Sequence, residues 1–325
     1  MESKRIRPDH QKDKPKEAFP SKQSMLPTKK NAKGTPRKSE NKLTENFPQK
    51  TTIQLPDDLP QKDTTLKSID PAQQDSKMIP SSGSDSFILS GAAEICVPLS
   101  AEHIRAFAQY SRMLKEWNEK MNLTNITDDQ GIALRHFVDS LTLVPHLEKE
   151  MKKKHRRNLS LIDVGTGAGF PGIPLKVALP DLEVTLLDSL RKRVGFLDAV
   201  CQELALDGIT TLHGRAEDVG KMKQHREMFD VATARAVASL PVLCEYCMPF
   251  VKVGGIFLAM KGYAEEEVKA AQKAVVTLGG TIEDHFDFYL PGTEMKRSII
   301  QIRKLRPTPP KFPRQAGKPE KEPIL

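Results

Sequence analysis

Residues Leu159 to Pro174 read LSLIDVGTGAGFPGIP, and no other stretch limits the folds open to this chain as strongly. An apolar run ends in an acid and is followed by glycines at 165, 167 and 169 and by Pro171. That describes a buried strand breaking into a tight loop, with the proline placed to open a helix. Glycines at this spacing let backbone approach a ligand closely. Gly167, Gly169 and Gly172 also fit the G-x-G-x-x-G pattern of dinucleotide binders, and Asp188 stands near the distance expected of a ribose-binding acid. By itself the loop is open between an NAD-type and an S-adenosylmethionine-type cofactor.

Beyond the loop, strand and helix patterns alternate: EVTLLD, LRKRVGFLDAVCQELAL, ITTLH, FDVATAR, ASLPVLCEYCMPFV, IFLAMKG and AEEEVKAAQKAVVTL. The alternation predicts an α/β fold, a mostly parallel doubly wound sheet with helices on both faces. Two final strands, around GTIEDHFDFYL and RSIIQIRK, are separated by Pro291-Gly292 with no helix between them. Such a closing antiparallel hairpin separates a class I, Rossmann-like S-adenosylmethionine-dependent methyltransferase sheet from an ordinary dinucleotide-binding one. We assign it residues 158–304.

Upstream, Ser100 is a plausible N-cap for a helix with apolar positions Ile104, Phe107, Ala108, Leu114, Trp117 and Met121. A second helix is expected from about Asp129, with Ile132, Phe137, Val138, Leu141 and Val144 as its stripe. Together they form an N-terminal helical cap over 97–150. The run KKKHRR, Lys152 to Arg157, reads as a solvated linker. Residues 1–90 are rich in Lys, Pro, Ser, Gln and Thr without a sustained apolar period, and are read as a disordered basic and polar extension.

Charge is unevenly placed. Residues 1–90 and 303–325 each carry a net +5 of the total +8, which leaves the middle at −2. The basic ends, including a C-terminal tail over 305–325, add non-specific attraction to nucleic acid. No segment approaches the roughly eighteen unbroken apolar residues of a membrane helix. Cys96, Cys201, Cys244 and Cys247 are too few and too unevenly placed for a disulfide framework, which points to a reducing cytoplasm. Cys244 and Cys247 have C-x-x-C spacing without a second metal-binding pair and read as buried hydrophobes of a helix.

The ligand crevice of a doubly wound sheet lies at the carboxyl ends of its strands. The strands deliver Asp163, Asp188, the segment Ala216-Glu217-Asp218, Arg235 and Lys261 to that edge. Asp163 directly precedes the glycine loop, a placement suited to a cationic amino-acid moiety rather than a pyrophosphate. It favours the sulfonium cofactor. Asp188 can accept hydrogen bonds from ribose hydroxyls, and Glu217 lies where an adenine-facing residue would be.

The segments RHFVDSL (135–141), LIDVGTGAGFPGIPL (161–175), LLDSLRKRVGFL (186–197), Ala216-Glu217, Ala234-Arg235-Ala236 and Met260-Lys261-Gly262 closely resemble the glucose-inhibited division protein B family. The resemblance runs from about residue 100 to the C-terminus. It implies transfer of a methyl group from S-adenosylmethionine to N7 of a guanine in 16S ribosomal RNA of the bacterial small subunit. It also implies that Gly165 and Phe170 contact the cofactor, that Ala216 and Glu217 face its adenosyl end, and that Arg235 faces the cofactor or the reacting face; Gly167 and Gly169 are expected beside the cofactor from the glycine spacing itself. Several members have Ser where this chain has Ala234, which bears on how Arg235 is held.

N7 of guanine has a free lone pair and no proton to lose, so the reaction needs no general base and no catalytic side chain is assigned. The D/N-P-P-Y/F motif of adenine-N6 enzymes and the Pro-Cys of cytosine-C5 enzymes are both absent from the sequence. RNA contact is expected from Arg135, His136, Lys192, Arg193 and Lys261. His136 and Asp139 are one helical turn apart, so a structural pair competes with a substrate role. Arg191, Lys192 and Arg193 open a helix, where positive charge opposes the dipole, which hints at a ligand. The expected protein is a cytoplasmic monomer without a membrane segment or metal. Methylation of another RNA, a non-catalytic ribosome-assembly role and an NAD-dependent oxidoreductase are the alternatives.

Overall fold

The computed structural model describes residues 83–325, so what was expected of residues 1–82 lies outside the described residues. The first helix, α1 (Gly83–Glu94), lies where the extension was expected to run on to residue 90. It buries Ile88, Gly91 and Ala92, and at Gly91 a Cβ would come within 2.8 Å of Val138 Cγ2. The packed chain thus starts earlier than the cap boundary placed at 97. Helix α2 (Ala101–Met121) begins as expected: Ser100 Oγ accepts the His103 N–H, and His103 Nδ1 accepts the Ser100 N–H.

The second cap helix is not a single helix. Helix α3 (Asp129–Ile132) passes into a π-helical stretch, Ala133–Val138, then into α4 (Asp139–Leu141), and the chain breaks before α5 (Val144–Lys154). A π turn changes the phase of the side chains that follow, and such turns favour functional sites. Ile132, Phe137, Val138, Leu141 and Val144 are nonetheless all buried, so the apolar spacing gave no sign of the interruption. Lys152 to Lys154, expected as linker, form the last turn of α5, where positive charge suits the helix dipole. Lys154 Nζ is fixed by Asp230 Oδ1 at 2.9 Å.

The remaining elements are β1 (Ser160–Val164), α6 (Gly172–Ala178), β2 (Glu183–Asp188), α7 (Arg191–Glu203), β3 (Ile209–His213), α8 (Ala216–Val219), β4 (Phe229–Arg235), α9 (Leu240–Cys247), β5 (Val251–Lys261), α10 (Glu265–Thr277), β6 (Gly280–Tyr289), β7 (Lys296–Lys304) and α11 (Lys318–Lys321). Strand order is β3-β2-β1-β4-β5-β7-β6. Strands β1 to β5 are parallel, and β7 enters antiparallel between β5 and β6. This is the class I methyltransferase sheet with its closing hairpin. Chain order reverses between β1 and β4, which sets the crevice at their carboxyl ends.

Alternation along the strands gives the sheet two cores. Leu161, Val231, Leu258 and Ile299 face the cap, α6 and α7, joining Phe107, Tyr110, Leu114 and Phe137. Ile162, Ala232, Phe257 and Ile300 face α9 and α10. Cys244 and Cys247 are fully buried in that second layer, where burial pushes both thiols up, as the packing reading expects. Residues 305–325, expected as a basic tail, are instead packed: Phe312 is 5% exposed among the second layer's apolar side chains. Among the described residues no helix is long and apolar enough to cross a membrane.

Candidate active site

The glycine loop leaves β1 at Val164 and is held by two carboxylates. Asp163 is fully buried; its Oδ2 accepts the Thr166 hydroxyl at 2.6 Å and the Gly172 N–H at 2.8 Å. One oxygen thus ties the start of the loop to the first turn of α6. The other, Oδ1, is buried and has no hydrogen-bond partner among the described residues. Burial raises this carboxyl to about 6, against the hydrogen bonds from Thr166 and Gly172 and the charge of Arg235. Asp188 holds the middle of the loop: Oδ2 accepts the Gly167 N–H at 2.9 Å and Oδ1 the Leu190 N–H at 2.8 Å. Each of those oxygens keeps a lone pair for a further donor.

Support comes from the cap. At Gly169, with φ +94°, a Cβ would stand 2.5 Å from both Tyr110 Oη and Ile173 Cδ1, so backbone and cap meet only because no side chain intervenes. Tyr110 donates its hydroxyl to the Ala168 carbonyl. Around Gly167, by contrast, a Cβ would meet nothing within 4 Å, so this part of the loop faces open space. An open backbone rim beside an unpartnered buried carboxylate oxygen suits a ligand with a cationic group. These residues fit the amino-acid end of S-adenosylmethionine.

The neighbouring cavity, about 270 Å³, lies where the π stretch meets the ends of β4, β5 and β7. Arg135, His136, Asp139, Arg235, Lys261 and Arg297 line it. Asp139 is its hub, 4% exposed, with Oδ2 taking Arg235 at 2.9 Å and Oδ1 taking Arg297 at 2.8 Å. Arg235 also donates to the Arg135 carbonyl at 3.0 Å and to His136 Nδ1 at 3.3 Å. Since Nδ1 accepts, the imidazole proton sits on Nε2, which donates to Thr124 Oγ1 at 2.8 Å. Burial and the nearby Arg235 charge push His136 down to about 3, so the ring is neutral. His136 therefore pairs with Arg235 and Thr124, not with Asp139 as the helical spacing suggested.

Phe170 connects the two halves. Its ring is 4% exposed, stacked on His136 at 4.5 Å and on Tyr110 at 5.2 Å, with the Arg235 guanidinium 5.1 Å from its centre. Lys261 is tied to the Ala238 carbonyl at 2.8 Å and Glu267 at 2.9 Å. Ala216 and Glu217 stand at the start of α8, with Glu217 buried and accepting the Gly317 N–H at 2.9 Å. Arg193 turns toward Asp188, at 3.6 Å, which gives one of the three cations opening α7 a carboxylate partner; Lys192 is exposed. A larger cleft, about 790 Å³, is lined by Lys152, His155, Arg156 and Arg157 at the amino ends of the strands, away from this chemistry.

The family described as rRNA small subunit methyltransferase G matches residues 103–293. The chain belongs to that family. The protein named "Ribosomal RNA small subunit methyltransferase G" in Acetivibrio thermocellus is 53% identical over 237 residues, covering 73% of this chain and 95% of its own length. Its namesakes in Alkaliphilus oremlandii and Exiguobacterium sibiricum are 48% and 47% identical, covering 72% and 71% of this chain and 96% and 95% of theirs.

For a member of the rRNA small subunit methyltransferase G family, three residues of this site escaped sequence reasoning. Arg297 lies on the closing hairpin, which was read for its topology alone. Tyr110 sits outside the apolar set chosen for α2, although it falls at the right helical spacing from Phe107 and Leu114. Thr124 lies in the loop after α2, and nothing local marks it as a histidine partner.

Proposed function

We propose that this chain transfers a methyl group from S-adenosylmethionine to N7 of a guanine in 16S ribosomal RNA of the small subunit, acting as a cytoplasmic monomer. The observation that carries the reading is the state of the pocket's side chains that are able to take a proton. Asp139 is shared by two guanidiniums, His136 has both nitrogens engaged, and Lys261 is paired with Glu267. Among the described residues that line the pocket, no side chain is left to act as general base. Such a pocket suits a nucleophile whose lone pair is already available, as at guanine N7.

When bound, the cofactor supplies an electrophilic methyl group on a sulfonium. Asp163 and the loop backbone would take its amino-acid end, Asp188 its ribose hydroxyls and Glu217 its adenine. The cavity, about 270 Å³, is small for a ligand site and has room for a single purine base. A guanine would have to leave its stack to enter it. Arg235, Arg297 and Lys261 then offer donors to O6 and phosphate, while the Phe170–His136 stack backs the plane on which the base is aligned. Arg135 and Lys192, both exposed, would meet RNA outside the cavity.

The test is transfer of labelled methyl to small-subunit particles from a strain lacking this enzyme, followed by nucleoside digestion and mass spectrometry. New 7-methylguanosine is expected. Cofactor binding without label in either particles or naked RNA would overturn the target and favour a binding role.

A further inference from the structure

We propose that the C-terminal segment 305–325 is a strap that positions Glu217, and with it the adenosyl end of the cofactor site. This rests on the function proposed above. The buried carboxylate of Glu217 lies in α8, a single turn that cannot hold itself by helix cooperativity. It receives the Gly317 N–H from a segment one hundred residues away in sequence. Gly317 has φ +77°, a left-handed geometry that favours glycine and here turns its N–H toward the carboxylate.

The segment is held on both sides of Gly317. Arg226 donates to the carbonyls of Phe312 at 2.8 Å and Thr308 at 2.7 Å, gripping the strap's first half by its backbone. Phe312 is buried in the second apolar layer of the sheet, the one that includes α9. Arg314 forms a forked pair with Glu245 of α9, at 2.9 and 2.6 Å, and Glu245 is 1% exposed. Beyond Gly317, Tyr246 donates to Glu320 at 3.2 Å. A segment kept only as a basic arm for RNA would leave its guanidinium in solvent; Arg314 spends its own on a buried carboxylate.

The experiment uses the full chain, a chain ending at Gln315, and the point variants Gly317→Ala, Arg314→Ala and Arg314→Lys. Calorimetry gives the S-adenosylmethionine dissociation constant, steady-state methylation gives KM for small-subunit particles, and thermal melts report folding. The truncated chain is expected to bind S-adenosylmethionine roughly 5- to 30-fold more weakly, the range of one or two ordinary hydrogen-bond losses. KM for particles should stay within about twofold, since only the adenosyl end is disturbed. Gly317→Ala and Arg314→Ala should shift the same quantity less, with Arg314→Lys recovering part of it. The point variants keep the test alive if truncation prevents folding. A lower melting temperature with unchanged cofactor affinity, or a rise in particle KM instead, overturns the strap as a positioning element. Failure of the unaltered chain to bind S-adenosylmethionine sinks the proposed function as well, whereas unchanged affinity in the strap variants sinks only this inference.

Discussion

Two carboxylates, both almost fully buried, organise the two halves of the site in opposite ways. Asp163 sits between a hydroxyl and a backbone N–H and fixes the path of a loop. Asp139 sits between two guanidiniums and fixes the positions of charges. In the function proposed above, the first arrangement would present backbone to the cofactor, and the second would present cations to a base and its phosphate. On that proposal cofactor and RNA meet separate parts of the site, and Phe170, stacked on Tyr110 and His136, lies between them.

Variants that strike one half should spare the other. Asp139→Ala carries the largest expected effect, because it strands both Arg235 and Arg297. Losing one member of a buried ionic cluster costs about 3–5 kcal/mol, and partial exposure of the arginines lowers this to about 2 kcal/mol in denaturant unfolding. Misplaced cations should reduce turnover by about 100-fold with cofactor affinity within about twofold. A parallel loss of cofactor affinity would join the two halves.

Asp163→Asn comes next. The amide oxygen still accepts from Thr166 and Gly172, while the charge is gone, so cofactor affinity should fall by about tenfold with the fold retained. The pH dependence gives a second readout. Burial lifts the carboxyl from 3.8 to about 6, so the folded state holds its proton more tightly in that window. Stability then falls as pH rises from about 4 to 6 and is level above. Unfolding curves of Asp163→Asn should lack this slope; an unchanged slope would remove Asp163 as its source.

His136 acts with the opposite sign. Its pKa is lowered from 6.5 to about 3, so its stabilising neutral state is fully present above 6.5 and is lost as pH falls toward 3. His136→Gln should flatten that acid limb, an outcome measurable in the same pH series. Tyr110→Phe is the smallest change, removing one hydroxyl from the Ala168 carbonyl at a cost of about 1 kcal/mol and a few-fold loss of cofactor affinity. A drop in RNA methylation at saturating cofactor would instead assign Tyr110 to the other half.

The contrast between the halves also explains what the sequence made legible. The loop lies within ten consecutive residues whose glycine spacing and flanking strand carry its geometry, so Asp163, Asp188 and the sheet around them were readable. The closing hairpin was readable from two strands without a helix between them. The pocket was less so, because Asp139 meets Arg235 and Arg297 across 96 and 158 residues, and its helix carries a π turn beneath an unbroken apolar pattern. The tail misled for a related reason. Its charge suggests solvent, while its partners Glu245, Glu217 and Arg226 lie far off in sequence.

The division of labour is tested most directly by titrating S-adenosylmethionine into Arg297→Ala protein whose methylation of small-subunit particles is measured alongside. Arg297 touches Asp139 and nothing of the glycine loop in the contacts described above. The account predicts a dissociation constant within about twofold of the unaltered chain despite a clear loss of methyl transfer. A tenfold weaker cofactor, or methyl transfer undiminished, would contradict it.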